Sequence, residues 1–596
     1  MSSVPERSEI DTEYKWDLES IYASDDEWES AYEEVEDRLD ELSAYEGQVT
    51  DDGETLLSVL ELREDISRTV EKIANYARMR KDEDTADQHY QALASRGMSL
   101  ASEANSASSF VEPEIQSLDR DELDHMIEET DGLEVYDHYL HDVLRTAEHT
   151  RSAEVENVLA ELGEVTGASG DIYSMLMNSD MEFPTVEKPD GDSVEITQSN
   201  LTKLLKNSDR EFRQTVYEGF FDRLGEFHNT IGTSYKNSVK ADVRLAQIRD
   251  YETAREAAMD GPNIPADVYD NLVGTVRDNL DKLHRHAELK RESLGVDELR
   301  MWDLYMPMTE TETPDIEYEQ AREYVVEALG ALGDDYQNRV KEGFESRWVD
   351  VYETENKRSG AYSSGTYDTQ PFILMNYQDD ISSMFTLAHE LGHSLHSQLT
   401  SENQPYVYGD YEIFVAEVAS TVNEALLTHH LLDTVEDPTF RRHVLNEYLE
   451  RFRSTLYRQT MFADFEHQAH QLVEDGEALT PEAADEIYGD LKAEFYEPAV
   501  VDDRIAREWA RIPHFYRPYY VYQYSTGISA AVALADGILN EGEEAADRYL
   551  QFLQSGSREY PLELLETAGV DMSSPEPIQR ALDVYDDYLD EMESLV

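Results

Sequence analysis

Residues 384–396 read Met384-Phe385-Thr386-Leu387-Ala388-His389-Glu390-Leu391-Gly392-His393-Ser394-Leu395-His396. The flanking positions are apolar and uncharged in a chain that is acidic nearly everywhere else, so the segment predicts a buried helix. On a helix, His389 and His393 lie four apart on one face, close enough for both imidazoles to reach one zinc ion. Glu390 is rotated by about 100° and can reach a water held there, which gives two ligands and a base. Imidazoles and a carboxylate inside a protein need partners, and a metal satisfies all three.

A third ligand must come from elsewhere. His396 stands seven residues after His389, about 10.5 Å along a helix axis, too far for both to enter one tetrahedral shell. It is expected to support the site or to pack below it. Downstream, Ile413 to Leu427 forms a second apolar helical pattern whose polar stripe is Glu417, Ser420, Thr421 and Glu424. Glu417 then either ligates the metal or belongs to a solvated face, and Glu424 can orient a ligating histidine. The pairs His284/His286, His429-His430 and His467/His470 have no base beside them and read as surface or core residues.

Working outward, the segment 348–377 alternates, turns through Ser359-Gly360-Ala361-Tyr362-Ser363-Ser364-Gly365 and runs on as Phe372-Ile373-Leu374-Met375-Asn376-Tyr377. This predicts a small sheet just before the histidine helix. Glu182 to Thr197, with Pro189-Asp190-Gly191 between β-branched runs, predicts a hairpin or long loop and marks a boundary: an N-terminal helical region, 1–195, and a second domain, 196–596. Most of the remainder is amphipathic and helical. Ser24 and Glu27 form a capping-box pattern ahead of Trp28, Tyr32, Val35, Leu39 and Leu42. Near the C-terminus, Ile512 to Gly527 holds five tyrosines within nine residues. A phenol or imidazole there can donate a hydrogen bond to a developing oxyanion. The stretch reads equally well as an aromatic core seam.

Composition sets the solvent. The chain has 596 residues with 130 Asp+Glu against 49 Lys+Arg, a formal charge of −81. Such a surface repels nucleic acid and anionic membranes. With 40% hydrophobic and 10% aromatic residues it is nonetheless expected to bury a core. At about 1 M salt the Debye length falls to roughly 3 Å and self-repulsion is largely screened, so molar salt is the natural medium. Only 13 of the 49 basic residues are Lys. We read a halophile, an archaeon that accumulates salt. There is no cysteine, hence no thiolate ligand or disulfide. Neither a signal-peptide pattern at MSSVPERSEIDTEYKWD nor an 18-residue apolar run is present, so the expectation is a soluble cytoplasmic protein.

These motifs resemble oligoendopeptidase F, in the zinc metallopeptidase family that contains thimet oligopeptidase and neurolysin. The similarity runs through Lys15-Trp16-Asp17-Leu18, Gly360-Ala361-Tyr362, His389 to His396, Phe414 to Glu424 and His514 to Gly527. It implies a mainly α fold in which two helical halves enclose a deep channel, with a small β-sheet next to the histidine helix. It implies His389, His393 and Glu417 as zinc ligands and Glu390 as general base. Tyr522 falls on the oxyanion-stabilising tyrosine, His514 on the histidine opening that loop, and Tyr516 on a further tyrosine whose register is unfixed. Gly360, Ala361, Tyr362 and Ser363 fall where the family pairs with the substrate backbone. The implied activity is internal cleavage of short peptides with one Zn2+, for which Co2+ or Mn2+ can substitute. A related H-E-x-x-H carboxypeptidase and a peptide-binding scaffold with structural zinc are the competing readings. Cleavage preference and oligomeric state are not encoded in any motif.

Overall fold

Five short strands are embedded in an otherwise helical chain. Strands β1 (Thr185–Glu187) and β2 (Ser193–Glu195) form the expected hairpin, antiparallel with Val186 opposite Val194. Strands β3 (Val349–Tyr352), β4 (Tyr362–Ser364) and β5 (Phe372–Tyr377) form a second sheet in the order β3-β5-β4. There β3 runs parallel to β5, while β4 is antiparallel to it and occupies the sheet's edge. The computed structural model describes residues 4–309 and 313–595. The fold is mainly α, as the helical periodicity implies.

The chain divides into two compact units, each assembled from separated stretches. The first contains the described residues of 1–148, 315–431 and 534–569. Its helix Asp25–Ser43 begins where the capping pattern places it, with the Ser24 side chain accepting from Glu27 N–H. Trp28, Tyr32, Val35 and Leu42 are buried from this helix, against Ile66, Val70, Ile73 and Tyr76 of the helix Gly53–Glu83. Phe372 and Leu374 of β5 join the same core, so one face of the sheet is anchored in apolar side chains. The second unit contains 149–309, 313–314, 432–533 and the described residues of 570–596. Its centre is aromatic: Phe465 lies 5.0 Å from Phe515 and 5.9 Å from Tyr235, ring centroid to centroid. No helix among the described residues is long and apolar enough to cross a membrane.

Candidate metal centre

The helix Ile381–Asn403 carries the histidine motif, and its start is fixed by Asp380, whose side chain accepts from Ser383 N–H at 2.7 Å. It follows β5 and the turn Gln378–Asp380 directly, which seats the first turns of the helix against the sheet. The second apolar pattern is the helix Ile413–Thr434. It is buried along most of its length, so its polar stripe is no solvated face. It packs against the motif helix at Gly392, where a Cβ would come within 2.5 Å of Ser420 Cα and 2.6 Å of Ala419 O. Asn423 Nδ2 ties the pair further by donating to Ala388 O at 3.1 Å, while Tyr336 donates to its Oδ1 at 3.3 Å.

This contact brings three donors together. His389 Nε2 and His393 Nε2 are 3.2 Å apart, and Glu417 Oε2 lies 3.4 Å from the first and 3.5 Å from the second. Bonds of about 2.0–2.1 Å in tetrahedral geometry set ligand atoms about 3.3 Å apart, so the triangle has the dimensions of a zinc site. Glu424 Oε1, 2.8 Å from His389 Nδ1, accepts a hydrogen bond from Nδ1–H and leaves the Nε2 lone pair facing the triangle. A lone pair and a carboxylate turned toward one point suit a cation there. His389, His393 and Glu417 constitute the metal-competent group found among the described residues, with no fourth His, Asp or Glu in it.

The charges around the triangle are strongly perturbed. Burial pushes the Glu417 carboxyl up, but its hydrogen bond to His393 and the charge of both histidines outweigh this and hold it at about 2. Ser420 Oγ adds a bond to Glu417 Oε2 at 3.1 Å. Burial works against protonation of His389, and Glu424 reverses it by charge and hydrogen bonding. Glu390 behaves differently: burial raises it above the ordinary carboxyl range, opposed by the two histidines and by the Ser363 backbone N–H. A carboxyl raised by its surroundings, one position from His389, is suited to proton exchange.

A cavity of about 1030 Å³ within the first unit opens onto these groups. His389, Glu390, His393 and Glu417 line it on one side, and Ala361, Tyr362 and Ser363 line it from the edge strand. Ser363 Oγ is 2.8 Å from Ser394 Oγ, which fixes β4 against the motif helix. Tyr362 turns its hydroxyl away to Asp82, donating at 2.9 Å. Gly360, with φ +88°, precedes the strand and lines a smaller adjoining pocket with Ala361, Ser383 and Thr386. His396 is 1% exposed and stands apart from the donor triangle. Its ring stacks on Tyr411 at 3.7 Å and 9°, and burial lowers its pKa to about 3. It therefore packs, as its spacing from His389 implies.

The tyrosine-rich stretch belongs to the second unit. His514 is half-buried, with its pKa lowered by burial and by Arg517 and Arg458. Its ring lies parallel to that of Tyr520 at 6.1 Å. Tyr522 starts the helix Tyr522–Glu541 and packs 5.2 Å from Tyr269, with burial raising its phenol. Tyr516 stacks on Tyr173 at 4.7 Å. Part of the stretch is thus the aromatic seam that composition alone allowed. Gly392, Asn423 and Tyr411 escaped the sequence reading. Gly392 stands inside the motif itself, and only the neighbouring helix reveals why it lacks a side chain.

Comparison with known proteins shows the family. The family model described as peptidase family M3 matches residues 203–584, and that described as oligopeptidase F matches 114–183. The chain is 43% identical to Oligopeptidase PepF of Bacillus subtilis over 596 residues, covering 100% of this chain and 89% of that one. It is 39% identical to Group B oligopeptidase PepB of Streptococcus agalactiae, covering 99% and 98%. The crystal structure of oligoendopeptidase-F from Enterococcus faecium superposes with TM-score 0.74 at 37% identity, covering 96% of this chain and 99% of that one. The chain belongs to peptidase family M3, within its oligopeptidase F group, and is a metallopeptidase acting on peptides.

Proposed function

We propose that this protein is a zinc-dependent oligoendopeptidase that hydrolyses internal bonds of short peptides, with His389, His393 and Glu417 holding the ion. The observation that carries the reading is the donor triangle with edges of 3.2, 3.4 and 3.5 Å. Three protein donors leave a position open, which is the mark of a catalytic site, whereas a structural site is closed by a fourth. When bound, the ion polarises the scissile carbonyl and makes water acidic enough to lose a proton near pH 7; Co2+ and Mn2+ fit the same donors. Glu390 accepts the proton of the attacking water and passes it to the leaving amine. Its raised pKa supports that shuttle. Ala361, Tyr362 and Ser363 hold the substrate backbone along the open edge of β4, with Gly360 supplying the turn before it. Tyr522 and His514 keep the oxyanion-stabilising assignment that their positions in the sequence carry, and Tyr516 a supporting place in the same loop.

The same reading places the protein at molar salt, on the strength of its −81 charge. The relatives named above are bacterial, so the case for a salt-accumulating archaeon rests on the charge alone. The two family models fall on either side of the division expected at residue 195, whereas the compact units are discontinuous and 149–309 runs through that point within the second of them.

The deciding experiment is a length series of end-blocked, internally quenched peptides in molar KCl, with and without chelator. Cleavage of the blocked peptides, lost with chelator and restored by Zn2+, is expected. Removal of only a C-terminal residue from unblocked peptides would make the protein a carboxypeptidase. No chelator-sensitive cleavage at all would leave a binding scaffold.

A further inference from the structure

Glu466 is 0% exposed in the second unit, on the helix Arg458–Glu474. Burial raises its carboxyl to about 8. Its Oε2 has no hydrogen-bond partner among the described residues. The charged groups that face it are His470 and Asp242, with His470 Nδ1 donating to the Glu466 carbonyl at 2.9 Å and Nε2 lying 3.4 Å from Asp242. A buried carboxyl with one oxygen idle is costly to keep, and an apolar side chain would fill the space without that cost. Something at the other oxygen must require it.

That oxygen accepts the backbone N–H of Tyr519 at 2.9 Å. Tyr519 has φ +53°, in the left-handed region that a bulky L-residue avoids. Among the described residues the five other non-glycine residues found there are Asp250, Asn263, Arg347, Asn356 and Asp379, so Tyr519 is the aromatic exception. Pro518 before it has no N–H to give the turn. The ring is gripped from the same helix: it lies 4.9 Å from His470, and its hydroxyl is 3.3 Å from His467 Nδ1. Tyr519 stands five residues after His514 and three before Tyr522. A strained residue persists only where its surroundings over-determine it.

We propose that Glu466 is a positioning residue, whose hydrogen bond to Tyr519 N–H holds the left-handed turn that sets where His514 and Tyr522 stand. The inference rests on the oxyanion assignment given above. With the acceptor removed, the Tyr519 N–H is left buried and unpaired, φ swings to the negative region, and the start of the Tyr522 helix turns with it.

The test uses the full chain, in molar salt with zinc, and the variants Glu466→Leu and Glu466→Gln. The Leu variant is expected to lose at least tenfold in kcat with KM within twofold and zinc content unchanged. The Gln variant, whose amide oxygen still accepts from Tyr519, is expected to keep at least half of wild-type kcat. Amide hydrogen exchange supplies a readout independent of activity: the Tyr519 amide is protected in the wild type and in Glu466→Gln, and exposed in Glu466→Leu. Unchanged kcat in Glu466→Leu, or equal loss in both variants, overturns the proposal. So does fast exchange of Tyr519 in wild type, which needs no variant to fold. Absence of cleavage by wild type would sink the peptidase reading instead, and the exchange result would still stand by itself.

Discussion

Glu424 Oε1 lies 2.8 Å from His389 Nδ1, and the carboxylate that makes this contact has 0% of its surface exposed. The bond fixes the tautomer and the ring plane of a donor that otherwise has rotational freedom. Glu424→Ala is expected to weaken zinc binding by about 10- to 100-fold. Competition with a chelator of known affinity measures it, and unchanged affinity would show that packing alone aligns His389.

Glu390→Gln removes the proton acceptor and leaves the three donors in place. Zinc content should stay at one ion per chain, while kcat falls by about 10²- to 10⁴-fold. Substantial residual turnover would end its assignment as base.

Gly392→Ala inserts a methyl group 2.5 Å from Ser420 Cα. Backbone cannot yield as a flexible side chain does, so the two helices must part. Overpacking of this kind costs about 1–3 kcal/mol, and the shift also moves Glu417 away from the histidines. Thermal unfolding and zinc affinity should both decline, and a variant unaltered in either would contradict the close-contact account.

Buried neutral histidines make the fold acid-sensitive. His396 and His286 each titrate at about 3 in the folded chain because burial disfavours their charged form. The unfolded chain takes up those protons near 6.5, so below that value it binds more protons than the folded state. Stability is then present above about pH 6.5 and is lost as pH falls from there toward 3, at up to about 1.4 kcal/mol per pH unit for each group. Urea unfolding at pH 7.5, 6.5 and 5.5 stays above the ordinary carboxylate range; Glu466, raised to about 8, opposes the histidine slope across this window, so the histidine share is read as the difference between wild type and a His396 variant. His396→Phe, which keeps a ring against Tyr411, should flatten the slope.

Salt tests the charge reading separately from the chemistry. Lowering salt from about 1 M to about 0.1 M lengthens the Debye length from roughly 3 to 10 Å. Circular dichroism and peptide cleavage should both be lost on that dilution. Full retention of both would remove the halophile reading and leave the peptidase intact.

The helices and the small sheet were legible because each follows a local rule. Ser24 caps the helix before Trp28, and Val349-Asp350-Val351-Tyr352 alternates ahead of a glycine turn. The histidine pair was legible too, since four residues of helix place His389 and His393 on one face. Glu417 was readable from spacing only as one of two alternatives, because a stripe of polar residues looks the same whether it meets water or another helix.

The sequence by itself determined the chemistry available: an imidazole pair, a neighbouring carboxyl, no thiols, and a strongly acidic composition. Tertiary structure alone decided how closely Glu417 approaches the two histidines, why Gly392 has no side chain, and that His396 packs on Tyr411. These depend on how closely two helices approach, a distance set by side chains dozens of residues apart, and no periodicity within either helix records it.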